Sequence, residues 1–580
     1  MAGSGLDRPR HTLKLAFSWF IGQGPQVAPT VSLLKPYFEE APIHVEHFTA
    51  TYNEVLSPRL TNQIFAGVNY FQQSFYDQST DYNPIALGLN TGATSPSLGG
   101  APRIQIAAPS SASGLGSSSD GFDVVGNIPA SGRQDITGHL DESLSWTVGK
   151  HEMHFGGEFR HTQVYDFYQA DQRGTFNFDG SQGPWSGNTG TGCDALTQTA
   201  PGSVGSVTST YGSPNSDPRF FYLADFLAGC YDPSDTTIVQ GDPKRLVYLN
   251  SYAIFAADTF QVSRTLNVNY GMRYEYEGPL HDAKKDLSSF LPGAPNGLAV
   301  AGTPGYANLY QQYHAGYGPR VGLSWQPGED GKTVVRLGYG LGYDNPNIVN
   351  FLNSRFSSNG GAFGVEDNPA GDSLAVDTTP SAPVIPSGAN FGDPIFPDAF
   401  TTQQQCLSNP SQIQTGCSTV NVFSIDSKLR PGYMQNYNFN LQRTLGNGVI
   451  AQVGYVGSVG RRLRTLLDIN QAGLGSGGAN STRPYYSAYP NYGVINQIQS
   501  GGTSNYNGLQ ASIRAASWHG ISSEFSYTWG HSLDEFSQIT LWNPQNSFCP
   551  KCEYGNSDFD VRNTFIGYMT YMLPNSSHAK

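Results

Sequence analysis

Alternation of apolar and polar residues dominates the chain, and it is clearest between Arg245 and Gly278. Two β-type runs meet there at a tight turn near Ser263-Arg264. In the second run, Leu266, Val268, Tyr270, Met272, Tyr274 and Tyr276 alternate with Thr265, Asn267, Asn269, Gly271, Arg273 and Glu275. A period of two marks a strand whose two faces meet different surroundings. The run is also longer than the roughly five or six residues usual in soluble proteins.

Similar runs occur along the whole chain, mostly in pairs. His11 to Phe20 stands first. Pro42 to Leu56 pairs with Arg59 to Phe75, and Gly132 to Val148 with His151 to Tyr168. Tyr317 to Gln326 pairs with Thr333 to Tyr343, Gly432 to Leu445 with Val449 to Ser458, and Tyr506 to Ser517 with Ile521 to Gly530. Asp558 to Leu573 closes the series, which makes 14 strands. Within pairs the connections are short and carry Gly, Asn or Pro. Between pairs they are long, spanning 77–131, 169–244, 279–316, 344–431, 459–505 and 531–557, with a shorter one from Ile21 to Ala41.

In an up-and-down sheet, alternate connections lie at the same end. All long loops therefore fall at one end and all tight turns at the other. Outer-membrane barrels have this asymmetry, with short periplasmic turns and long extracellular loops. Their strands need about 9–11 residues to cross the bilayer. The predicted fold is an all-β, antiparallel, up-and-down transmembrane barrel, partial at about 14 strands, with long extracellular loops. A soluble β-sandwich, propeller or solenoid would alternate too, but would not require every second loop to be long. Trp146, Tyr276, Trp325, Tyr343, Trp518 and Trp529 lie near predicted strand ends, where interfacial aromatic girdles form.

Composition narrows the class. Charged residues make up 13% of the 580-residue chain, about half the share in a typical soluble domain. Aromatics make up 12%, which excludes a disordered chain. The net charge of −13 argues against a nucleic-acid partner. No run approaches a membrane helix. Leu13 to Ile21 loosely imitates a signal peptide but reads better as a strand. Six cysteines form three local pairs, Cys193 with Cys230, Cys406 with Cys417 and Cys549 with Cys552. They are candidate disulfides of an oxidising compartment.

Several blocks resemble one family. SYAIFAADTFQVSRTLNVNYGMRYEYEGP, YGPRVGLSW with VVRLGYGLGYD, and LRPGYMQNYNFNLQRTLGNGVIAQVGYVGSVGRRL resemble the barrel of TonB-dependent outer-membrane receptors. Together with YNGLQASIRAASWHGISSEFSYTWGHSLDE and SDFDVRNTFIGYMTYMLP, the last of these is similar to the Oar-like branch of acidobacteria and myxobacteria. The resemblance runs from about Gly132 to Leu573 of a single barrel domain over 1–580. It implies a cell outer-membrane location, contact with outer-membrane lipid, an extracellular ligand, and coupling to the TonB complex through a plug. Members carry an N-terminal β domain, a plug and a barrel of about 22 strands. No plug or coupling box is legible near Met1, and the chain ends PNSSHAK, so an internal fragment is expected.

Motifs with chemistry are few. Cys549-Pro-Lys-Cys552 lies in a predicted external loop, where a disulfide staple fits better than redox or zinc chemistry. Alternation puts His151 and His161 on one strand face and His154 on the other, so they form no ligand set. Tyr485, Tyr486, Tyr489 and Tyr492 are candidate loop contacts to a sugar or other planar ligand, against loop packing. Glu366, Asp367 and Asp372 lack calcium-loop spacing. No catalytic motif, cofactor or metal site is legible, and an enzyme is not expected.

The resulting expectation is TonB-dependent transport of a bulky nutrient, a ferric siderophore or an oligosaccharide. The alternatives are an adhesive or surface-structural outer-membrane barrel and a soluble, secreted, glycan-binding β protein.

Overall fold

A computed structural model describes residues 2–8, 10–23, 35–77, 102–106, 122, 124, 126, 131–168, 175–180, 219–228, 231–232, 238–240, 244–285, 287–328, 330–344, 376–378, 420–446, 448–518, 520–537 and 544–573. Alternating sequence of this kind can bury or solvate only one face at a time, and it resolves into a single antiparallel meander. The strands in chain order are β1 (Ala2–Arg8), β2 (His11–Gln23), β3 (Pro42–Ser57), β4 (Leu60–Asp77) and β5 (Ser131–Val148). They continue as β6 (His151–Tyr168), β7 (Arg245–Gln261), β8 (Leu266–Glu277), β9 (Tyr317–Trp325) and β10 (Thr333–Tyr343). The last are β11 (Tyr433–Gly446), β12 (Val449–Asp468), β13 (Tyr492–Trp518), β14 (Ile521–Asp534) and β15 (Asn563–Tyr571).

Each strand pairs with the next in chain order, and four short strands join the same 19-stranded sheet. Among the described residues no ladder joins β1 to β15. No helix is long and apolar enough to cross a membrane. Tight turns follow every odd-numbered strand from β1 to β13. Gly149 and Gly520 adopt φ of 61° and 82° in two of them, a conformation that L side chains resist.

The central ladder defines the two faces. Tyr252 pairs with Tyr276, Ile254 with Tyr274, Ala256 with Met272, Asp258 with Tyr270 and Phe260 with Val268. Opposite residues share a face. On this one Ile254 is 63%, Tyr270 48% and Met272 46% exposed. The same face continues through Phe155 and Phe159 on β6, Val321 on β9, Leu337 and Tyr339 on β10, Phe439 on β11 and Val453 on β12, all exposed. An apolar band this continuous would be unstable in water and is the surface that lipid covers. Tyr252 to Phe260 is nine residues, the length that crosses a hydrocarbon core at barrel tilt. Trp146, Trp325 and Trp518 are exposed at the turn end of the band, and Tyr252 and Tyr317 at the loop end.

Three expectations need correction, and the loops add a finding of their own. The meander has 15 strands where the sequence suggests 14, because Ala2–Arg8 pairs with β2 from Ala2↔Phe17 to Arg8↔His11; its Gly and Ser residues carry no apolar alternation. The expected loop 459–505 shrinks to 469–491. β12 and β13 stay paired to Asp468↔Asn496 across a bulge at Arg461–Arg464, which shifts the alternation by one and hides it. β14 runs on to Asp534, and the last strand begins at Asn563, not Asp558. Finally, the described loops are folded. Helix α1 (Arg219–Ala228) contributes Tyr222 to a core with Ile106, Phe176, Phe178 and Tyr231.

Candidate functional site

The polar face is built from the residues that alternate with the apolar band. Across β7 to β11 it forms a cavity of about 950 Å³. Arg273, Arg320 and Arg336, with Asn267, Asn269, Asn436 and Asn438, line it over a floor of Gly271, Gly322, Gly338 and Gly340. Glycine leaves room where side chains of neighbouring strands lean in: the Asn438 side-chain amide lies over Gly338, 2.7 Å from where a Cβ would stand. The wall thus offers guanidinium and amide groups at the level of the lipid-covered band.

Beside the cavity lies an ion network on β5, β6 and β8. Glu158 accepts from Arg160 at 2.7 Å and from Arg273, and Arg273 also reaches Glu275 at 2.6 Å. The His139 ring stands 3.1 Å from Glu158 and 3.2 Å from Asp141. His139, Asp141 and Glu158 are close enough to share an ion. Both Glu158 oxygens, however, are already engaged by guanidinium groups, so the cluster works as a brace between strands. Sequence reading missed it because its members come from different strands.

Above the band, the polar face changes character. Val247 and Leu249 of β7, Val164 of β6, Leu466 of β12 and Ile498 of β13 all point inward. They pack with Leu280, Leu287, Ala301 and Leu309 from the β8–β9 loop and with Phe423, Ile425 and Leu429. Val420–Ile425 lies parallel to β13, from Val420↔Tyr492 to Ile425↔Ile498. Ser424 donates to the Phe290 carbonyl at 2.8 Å, and Ser289 accepts from the Ile425 amide at 2.8 Å. Residues of the β8–β9 loop and of the segment before β11 therefore cover this end of the polar face with an apolar core, a seal over the strand ends beneath it.

A polar layer lies between seal and cavity. Glu277 is the last residue of β8, pairs with Ser251 and stands one step above the Tyr252–Tyr276 row. Burial pushes its carboxyl up to about 8; Arg464 opposes the rise, and Asp344 and Glu275 add to it. Burial also raises the Tyr310 hydroxyl and lowers Arg464.

The 469–491 loop is held by Asn470, which is fully buried. Its amide donates to the Gly493 carbonyl at 2.6 Å, and its oxygen accepts from the Tyr485 amide at 2.9 Å. Its carbonyl accepts from Arg483 at 2.7 Å. Asp468 accepts from the amides of Asn470 at 2.9 Å and Ile495 at 3.0 Å. Burial raises its carboxyl, and those bonds, with Arg483, counter the rise. An Asp bonding the amide two residues on is a legible turn signal that could have flagged this latch.

The tyrosines read from the sequence belong to the same loop. Tyr485, Tyr489 and Tyr492 surround the Phe290 ring at 5.1, 5.3 and 5.9 Å. Tyr492 is 2% exposed and donates to the Asn296 carbonyl at 2.8 Å, which makes it part of the loop core. Tyr486 is half-buried beside them. Cys549 and Cys552 form a disulfide across the turn Pro550–Glu553. Just before them, the Ser547 amide donates to Gln471 at 2.5 Å, docking this loop on its neighbour. Cys193, Cys230, Cys406, Cys417, Glu366, Asp367 and Asp372 lie outside the described residues. His151 contacts Asp258 at 2.7 Å, His154 contacts Ser145 at 2.9 Å and His161 contacts Asn250 at 2.7 Å, so the three histidines are not brought together.

Among curated proteins none matches the chain. Among solved structures it is similar to the outer membrane transporter YddB from Escherichia coli, at 11% identity and a TM-score of 0.49, over 91% of this chain and 47% of that one. It is also similar to the copper transporter OprC, at 11% identity and a TM-score of 0.43, over 98% and 63%. A third is the ferric citrate transporter FecA in its unliganded form, at 10% identity and a TM-score of 0.42, over 98% and 54%. The chain thus spans roughly half to under two thirds of these proteins. The family model for the outer membrane beta barrel domain matches residues 8–580. With that match over nearly all of its length, the chain belongs to the outer membrane beta barrel domain family.

Proposed function

We propose that this chain supplies wall and extracellular mouth to a TonB-dependent importer of a bulky nutrient of the siderophore or oligosaccharide class. The observation that carries this is an apolar loop core folded over one end of a polar cavity. Leu280 and Phe423 pack against inward residues of β7, β12 and β13, above a cavity with three arginines and four asparagines. Loops ordered against the inner wall above a donor-rich surface suit a receptor that engages its solute better than a passive pore. Guanidinium and amide donors suit the carboxylate, catecholate and hydroxyl oxygens of the solutes proposed. The energy would come from the inner membrane through TonB and a plug.

The test is uptake in the native host. Deleting the gene should abolish accumulation of at least one member of a panel of labelled ferric siderophores and oligosaccharides. In wild-type cells a protonophore should stop that same accumulation. Unchanged uptake across the panel, with cell–cell attachment lost, would replace this reading with an adhesive barrel.

A further inference from the structure

The bulge in β12 points outward at the loop-end rim of the lipid-covered band. Arg461 pairs with Tyr433 of β11 and Thr503 of β13, and Arg462 is the extra residue. Arg462 has φ of 55°, a left-handed conformation costly for a long side chain. The distortion aims two adjacent guanidinium groups at the outer surface. That of Arg462 sits 5.7 Å over the Tyr433 ring, which is 6.2 Å from the Tyr343 ring. Arg461 donates to the carbonyls of Gly460 at 2.8 Å and Ser504 at 3.3 Å, and weakly to Asn505 at 3.4 Å.

Among the described residues no carboxylate forms an ion pair with either arginine. Glu535 lies beside Thr503 at this rim, and its two oxygens are occupied by the Thr503 amide at 2.6 Å and hydroxyl at 3.0 Å. Below the pair, on the same face and strands, Tyr455, Val453, Phe439 and Leu441 are exposed. A ligand that covers those residues with hydrocarbon and the arginines with anionic oxygens matches both halves of the surface. A lipid lying against the barrel does both at once.

We propose that Arg461 and Arg462, with Tyr433, form a seat for the phosphorylated sugar headgroup of an outer-leaflet glycolipid. The Arg462 guanidinium presents paired donors to phosphate oxygens, Arg461, whose Nη1 is held by the Gly460 and Ser504 carbonyls, adds its charge beside it, and the tyrosine fixes the headgroup level. The inference rests on the barrel and its band, not on the solute carried.

The experiment uses the protein extracted from outer membranes. It is reconstituted in phosphatidylethanolamine vesicles containing lipopolysaccharide, its enzymatically dephosphorylated form, or neither. Lipid retained per protein after detergent exchange is read by mass spectrometry. Wild type should retain the phosphorylated form about tenfold over the dephosphorylated one. R461Q/R462Q should lose that preference. R443Q, which removes a guanidinium at the opposite rim, should keep it. Equal retention of both lipids by wild type, or an unchanged preference in a heat-modifiable R461Q/R462Q, overturns the proposal. Displacement by inorganic phosphate at matched concentration would assign the site to free anions and also overturn it. Should the double variant fail to assemble, the dephosphorylation arm on wild type decides alone.

Discussion

Asp258 and Tyr270 stand opposite each other on β7 and β8, and the Tyr270 hydroxyl donates to the Asp258 carboxylate at 2.8 Å. Both belong to the face that lipid covers. The carboxylate is tolerated there because it lies near the turn end of the band and is enclosed by Tyr270 and by His151, itself stacked on Phe260 at 4.3 Å. Alternation assigns the aspartate its face; only the fold supplies its partners. Tyr270→Phe should therefore leave Asp258 short of a donor on the lipid-covered face and lower barrel stability. Urea unfolding of the reconstituted barrel checks this; no change would mean that the aspartate is hydrated.

Met272 pairs with Ala256, the middle row of the nine-residue band, whereas Asn269 faces the cavity. Met272→Arg should cost about 2–4 kcal/mol of insertion free energy, while Asn269→Arg should assemble normally. Heat-modifiability of the two variants, expressed side by side, discriminates the faces. Equal assembly would reverse or abolish the assigned polarity of the sheet.

Gly316 enters β9 with its backbone against Glu275. A Cβ there would lie 1.9 Å from the Glu275 carbonyl oxygen, which also disallows the bond from the Glu275 amide to the Gly316 carbonyl, now 2.8 Å. Gly316→Ala should destabilise the strand entry by about 1–3 kcal/mol through this overlap. Increased proteolysis within 278–316, with the rest of the barrel intact, is the expected readout.

Asn470 joins both sides of its loop, so Asn470→Ala leaves the buried Gly493 carbonyl and Tyr485 amide without those partners. About 2–4 kcal/mol of local stability should be lost. Hydrogen exchange should quicken over 469–491 while β12 and β13 below Arg461 keep their protection.

The seal should also respond to pH. Glu277 has a folded value of about 8 against an ordinary 4.5, so the folded mouth favours the protonated form. Its contribution is fully present below pH 4.5 and is lost as pH rises to about 8. Protection factors in 278–316, taken relative to the intrinsic exchange rate at each pH, should fall across that window, and Glu277→Gln should flatten the dependence. A wild-type profile already flat over the window would remove Glu277 from the seal.

Much of this architecture was legible because a two-residue period reports the environment of each face directly. Tyr270 and Met272 outward, Asn269 and Arg273 inward, and the turns at Gly149 and Ser263 follow from that period and from turn chemistry alone. So does the sidedness of the loops, which is a matter of connection length. Period and turn chemistry fail where the backbone departs from regular pairing. The Arg461–Arg464 bulge shifts the alternation by one residue, which hid ten residues of β12 and aimed Arg462 outward. They also fail where partners are distant in sequence: Glu158 with Arg273, Asp258 with His151, and Phe290 with Tyr492 meet only once strands are registered and loops folded. The sequence by itself determined fourteen of the fifteen strands, their two faces and which end of the sheet carries the long loops, because those depend on neighbours one or two residues away. Which loops close the mouth, which charges are buried beneath them and which tyrosines are core were decided by tertiary packing, because apolar loop residues gain burial only against strand ends that the rest of the sheet positions.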